Sequence, residues 1–191
     1  MQTLTIPVRR KAMPDAVLGM LFLVAAEVMF FSGLISAYII NRSGVEQWPP
    51  LNQPRLPILV TGINTIVLLL SGVFMWQFLY SREKIQQRAK KWLLMSVLLG
   101  ATFLLVQGTE WANMLAAGMH SHSSVFSAFF YTIIGAHGVH VLAGLLLLLY
   151  AYRLNLRPVS AEVTEKLQAF AMYWYFVVAV WPILYVLVYF N

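Results

Sequence analysis

Four ionisable side chains stand inside otherwise apolar stretches of this 191-residue chain: Glu27, Glu110, His137 and His140. Carboxyls and imidazoles can take up and release protons or hold a transition metal, so these positions bound the chemistry available. No cysteine is present, which excludes disulfides, thiolate metal sites, iron–sulfur ligation and thiol nucleophiles. Any metal would need His and carboxylate alone. Both histidines lie in Gly135-Ala136-His137-Gly138-Val139-His140-Val141-Leu142-Ala143-Gly144. Positions three, four and seven apart stack on a helix, which puts His137, His140, Val141 and Gly144 on one face. A face that polar and that small looks at protein, not lipid. At membrane depth an ionisable group costs about 2.5 kcal/mol or more unless partnered, so the stretch predicts a companion elsewhere in the chain or in a neighbour.

The elements that must position these groups follow from composition. With 60% hydrophobic and 10% charged residues and a mean hydropathy of +0.73, the chain reads as an integral membrane protein. Five apolar runs, at about 16–40, 56–80, 92–116, 125–150 and 170–190, are each long enough to cross a bilayer as a helix, which takes roughly 20 residues. The expected fold is an all-α bundle of five transmembrane helices forming a single membrane domain over 1–191. The first run is too long for the apolar core of a secretory signal, which is about 7–15 residues, and it ends in Tyr38-Ile39-Ile40-Asn41-Arg42. A net charge of +6 would suggest nucleic acid in a soluble protein, but in a membrane protein the bases are counted by side, and no nucleic-acid partner is expected. Arg9, Arg10, Lys11, Arg82, Lys84, Arg88, Lys90, Lys91, Arg153, Arg157 and Lys166 fall on one side, against Arg42 and Arg55 on the other. That bias places the N-terminus in the cytoplasm and the C-terminus outside.

Depth along the helices then selects partners. By rise per residue, Glu27 lies about 16 Å and His140 about 15 Å from the cytoplasmic edge, with His137 near 20 Å. The simplest way to satisfy the first two is a Glu27–His140 hydrogen bond or ion pair between the first and fourth helices. Glu27 can then be a protonated acid held for structure or a group that handles protons. Glu110, roughly 9 Å from the far end of its helix, needs another partner and can be partly wet. Gln107, Glu110, Trp111 and Met114 fall on one side of that helix. Thr61, Asn64, Thr65 and Ser71 read as helix-packing groups, as do Gly33, Gly135, Gly138 and Gly144. His120-Ser121-His122 could ligate a metal but lacks a third ligand nearby. The last run carries Tyr173-Trp174-Tyr175 near its start and Tyr185 and Tyr189 near its end, as interfacial belts would, and Pro182 as a candidate kink.

Four of these segments together resemble subunit III of the haem–copper respiratory oxidases. The family's Ser/Ala-Glu-Val-x-Phe-Phe-x-Gly helix, Gln-x-x-Glu-Tyr/Trp segment, Gly-Phe-His-Gly-Leu-His-Val helix and closing Tyr-Trp-His-Phe-Val-Asp-x-x-Trp helix match Ala26–Gly33, Gln107–Trp111, Gly135–Val141 and Tyr173–Trp181. Tyr175 and Val178 replace the family's His and Asp, a departure that bears on any lipid or proton role of those two positions. The chain is similar to the five-helix form, which lacks the first two of seven helices. The resemblance implies an accessory subunit without redox centres of its own. It would support proton uptake and stability of the catalytic haem–copper subunit I beside subunit II, in a bacterial cytoplasmic membrane. Haem and copper would sit in the partner, and phospholipid could be bound. In the family the glutamate matching Glu27 is the carbodiimide-reactive one. Bottom-up, a low-spin haem between two helices needs His on both, whereas the membrane histidines His137 and His140 share one. Two further readings stay open: a five-helix accessory protein of a nitric oxide reductase, and a stand-alone proton carrier built on Glu27, Glu110 and His140.

Overall fold

In lipid every backbone N–H and C=O must be satisfied within its own segment, so long apolar runs of Leu, Val, Ile and Phe have helix as their solution. The computed structural model, which describes residues 13–50, 54, 56–82, 84 and 86–190, contains α1 (Asp15–Ser43), α2 (Ile58–Arg82), α3 (Gln86–Ala116), α4 (Val125–Leu154) and α5 (Ala161–Tyr189). All five are long and apolar enough to cross a membrane. Of the bases counted by side, Arg9, Arg10, Lys11 and Arg55 lie outside the described residues.

The helices overrun the apolar windows, because hydropathy marks the membrane-embedded part and capping marks the helix. Ser124 starts α4 with a reciprocal box, its Oγ accepting from the Ser127 N–H at 3.0 Å while Ser127 Oγ accepts from the Ser124 N–H at 2.9 Å. Ser160 Oγ accepts the Val163 N–H and so begins α5 nine residues before the apolar run. The chain between α2 and α3 is correspondingly brief, and Arg88, Lys90 and Lys91 ride on the first turns of α3. α5 continues as helix through Pro182.

α5 is the central helix: it packs on α1, α2 and α4, while α3 joins α2 to α4. Within its most apolar stretch 56% of α5 is buried but only 6% of α1, which touches α4 and α5 alone among the described elements. Trp174 and Trp181 are fully enclosed. The Trp174 ring lies between two glycines of different helices. A Cβ at Gly100 would come within 2.7 Å of its Cη2, and one at Gly144 within 2.7 Å of its Cε3. Tyr173 and Trp174 therefore belong to the core, not to an interfacial belt. The early start of α5 explains this, since Tyr173 sits about 18 Å along the helix from Ala161.

Polar groups pin the α2, α3 and α5 trio. Asn64 donates to the Phe103 carbonyl at 3.0 Å, Ser96 to the Ser71 carbonyl at 2.8 Å, and the Trp181 indole to Thr65 Oγ1 at 2.9 Å. Thr61 instead bonds the Pro57 carbonyl. Beyond α1 the chain folds back so that Trp48 donates to the Tyr38 hydroxyl at 2.9 Å and meets Phe126 edge-on, closing that end of α1 onto α4.

Candidate functional site

The polar contact between α1 and α4 is made by Glu27 and His140. Glu27 Oε2 lies 2.8 Å from His140 Nε2, and His140 Nδ1 lies 2.6 Å from the carbonyl oxygen of Ala136, one turn back on α4. A carbonyl can only accept, so Nδ1 carries a hydrogen and donates it. The neutral ring then has only a lone pair at Nε2, and a hydrogen bond to Glu27 needs a proton from the acid. If the ring is instead an imidazolium, Nε2–H donates to the carboxylate. In both forms the bond contains one proton more than a neutral imidazole and a bare carboxylate would supply. Removing it sets an anionic oxygen against a nitrogen lone pair. The local fold thus sets a carboxyl, an imidazole and a backbone carbonyl in one line of hydrogen-bond distances.

Aromatic rings frame this pair. Phe31, almost fully buried, meets His140 edge-on at 5.1 Å between centroids and Phe176 of α5 at 6.1 Å, and Phe30 stacks on the outer side of the imidazole at 6.0 Å. The Tyr173 hydroxyl of α5 approaches the His140 carbonyl at 3.5 Å. The pair is not sealed: the His140 and Glu27 side chains keep 15% and 23% of their exposure, enough for a neighbour to reach them. They open onto a shallow cleft of about 390 Å³ lined by Ala26, Glu27, Phe30 and His140.

His137 faces elsewhere. It is 1% exposed, stacked on Trp181 at 4.8 Å and flanked edge-on by Phe103 and Phe31, and neither ring nitrogen meets a hydrogen-bond partner among the described residues. The two histidines share a helix but point their rings into different surroundings, His140 to α1 and His137 into the aromatic core against α3 and α5.

Glu110 is not brought to the pair, since α3 does not touch α1. Its side chain is buried beside Gln107, which donates to the Tyr189 hydroxyl at 3.1 Å, and it has no hydrogen-bond partner among the described residues. Trp111 turns toward α4, meets Tyr131 edge-on and fits where Gly135 leaves room, a Cβ there coming within 2.8 Å of the ring.

Glycine roles divide the same way. Gly135 and Gly144 admit tryptophans, but a Cβ at Gly33 or Gly138 would meet nothing within 4 Å. Among the described residues these two therefore meet no neighbouring helix closely, so any packing role they have would be toward a partner. Gly138 instead floors an apolar groove between α3 and α4. His120 and His122 stack in parallel at 5.5 Å in the exposed connection after α3, and among the described residues no three His, Cys, Asp or Glu side chains gather as a metal site would require. Sequence reasoning missed Trp48 and Tyr131, whose partners are non-local. A signal for Trp48 lay in its place between two membrane runs.

Comparison with known proteins gives a match between residues 9–191 and the family described as cytochrome c oxidase subunit III. The cytochrome c oxidase subunit 3 of Thermostichus vulcanus is 34% identical over 180 residues, covering 92% of this chain and 88% of that protein. That of Synechocystis is 33% identical over 174 residues, covering 90% and 73%. A probable cytochrome c oxidase subunit 3 of Mycobacterium leprae is 30% identical over 176 residues, covering 90% and 86%.

Proposed function

Because the chain belongs to the cytochrome c oxidase subunit III family and is thereby an accessory subunit of a haem–copper respiratory oxidase, we propose that its Glu27–His140 pair holds a proton at mid-membrane depth and supports proton uptake by the catalytic subunit. The observation that carries this reading is the Ala136 carbonyl on His140 Nδ1, which requires a proton in the bond to Glu27. Partial exposure of the pair at the lightly covered α1 lets a neighbouring subunit exchange that proton. The chain acts through protons and packing, with no catalytic centre of its own. Haem and copper belong to the catalytic subunit I, which it would adjoin together with subunit II. The assembly sits in a bacterial cytoplasmic membrane with the N-terminus of this chain inside. Neither a nitric oxide reductase partner nor a stand-alone carrier is favoured, since the named relatives are cytochrome c oxidase subunits.

Glu27→Gln in the assembled oxidase tests the reading. The amide keeps the size of the side chain and can donate to His140 Nε2, while the titratable proton is lost. Haem content should stay unchanged, and turnover and pumping should fall, most at alkaline pH where protons are scarce. Normal turnover and pumping at every pH would reject the role.

A further inference from the structure

Three helices meet behind the Glu27–His140 pair, because α5 packs on both α1 and α4. The side chain that α5 brings there is Tyr173, which is 5% exposed and has its ring against α4, where a Cβ on Gly144 would lie 3.5 Å from Cε1. Among the described residues its hydroxyl makes one hydrogen bond, a donation to the His140 carbonyl oxygen at 3.5 Å. Hydroxyl donors usually sit about 2.5–3.0 Å from an oxygen acceptor, so this bond is stretched and the buried donor is poorly satisfied. An acceptor in the same condition lies close by. Glu27 gives Oε2 to His140, while its Oε1 has no hydrogen bond among the described residues, and the carboxyl is near enough for its charge to act on the Tyr173 hydroxyl.

Oε1 differs between the two forms of the pair. With the shared proton on Glu27 Oε2 the acid is neutral and Oε1 is an ordinary carbonyl oxygen. With the proton on His140 Nε2 the acid is a carboxylate, and Oε1 shares its negative charge. At membrane depth, beside the buried ring of Phe31, a carboxylate–imidazolium pair is costly unless further hydrogen bonds satisfy its remaining lone pairs. A hydroxyl on Oε1 is such a bond, and a charge-assisted bond is about twice as strong as one to a neutral oxygen. Little is lost in leaving the His140 carbonyl, which the backbone ladder of α4 already supplies with a donor. We infer that Tyr173 is a positioning residue for the shared proton: its hydroxyl turns to Glu27 Oε1 and, by donating there, holds the pair as carboxylate and imidazolium. Tyr173 keeps its own proton, and only the hydrogen between Oε2 and Nε2 changes owner. The inference rests on the proton-holding reading of the pair and names the group that decides which atom offers that proton to a neighbour.

The test is infrared spectroscopy of the assembled oxidase, with the bands of Glu27 identified as those that Glu27→Gln removes. Wild type should show Glu27 mainly as carboxylate. In Tyr173→Phe, which keeps the ring and its packing, the ratio of carboxylate to acid should fall about tenfold, as for one lost hydrogen bond to a charged group. Site-directed 3-fluorotyrosine at position 173, a stronger donor of nearly equal size, should move the ratio the other way, and it decides alone if Tyr173→Phe does not assemble. Tyr189→Phe, on the same helix but bonded to Gln107, should leave the ratio unchanged. An unchanged ratio in both position-173 variants would overturn the proposal, as would a wild type in which Glu27 shows only the acid band. Neither result depends on turnover: normal turnover in Glu27→Gln would reject proton supply by the pair and leave the measured place of its proton standing.

Discussion

Glu27 and His140, 113 residues apart in the chain, meet Oε2 to Nε2 at 2.8 Å through a bond that requires a proton. The requirement comes from a third atom, the Ala136 carbonyl, which commits the other imidazole nitrogen to donating. A backbone oxygen thereby sets the proton content of a side-chain pair.

Replacing His140 by Phe removes the acceptor and leaves the carboxyl to the membrane face. The infrared carboxyl band, of acid or carboxylate, that Glu27→Gln abolishes should shift in His140→Phe, and thermal stability should fall by about 1 kcal/mol, as for a partly exposed hydrogen bond. An unshifted band would mean that the two side chains do not share a proton.

Gly144 and Gly138, six residues apart, should respond oppositely to enlargement. Gly144→Leu drives a side chain into the Trp174 ring and should destabilise by about 1–3 kcal/mol or more. Gly138→Leu fills open groove and should leave the melting temperature of the isolated subunit unchanged. Melting curves in detergent decide it, and a large loss for Gly138→Leu would contradict the open position found here.

His137 offers an apolar exchange. Among the described residues both its nitrogens are buried without partners while its ring packs on Trp181, so His137→Phe should match or exceed the wild-type melting temperature. His137→Ala should lose about 3 kcal/mol or more through the cavity it leaves. If His137→Phe melted as low as His137→Ala, a polar role for the ring would follow.

Orientation is tested by fusions. A reporter active only outside the cytoplasm should be active after Asn191 and silent when inserted near Gln86, because the bases gather on the Gln86 side. The reverse pattern would invert the assigned topology.

Much of this was legible because rise per residue is fixed: counting from the ends of two apolar runs set Glu27 and His140 level, and they meet. Rotation about the helix axis is less legible. The three-residue spacing put His137 and His140 on one face, yet α4 borders α1, α3 and α5, and beyond Phe31, which both rings meet, His140 bonds α1 while His137 stacks on α5. Trp174 was misassigned because an aromatic cluster at the start of an apolar window resembles a belt until the polar lead-in from Ala161 is known to be helical. Gly138 illustrates the same point. A glycine in a membrane helix signals that something comes close, and the sequence does not say whether that something belongs to the same chain.

The indole held between Gly100 and Gly144 has a consequence for descent. Three positions on three helices, 100, 144 and 174, share one volume, so a methyl gained at either glycine is tolerated only with a smaller residue at 174. Among diverging relatives they should change in concert or stay fixed, behaving as a single inherited character although they lie 74 residues apart at the extremes.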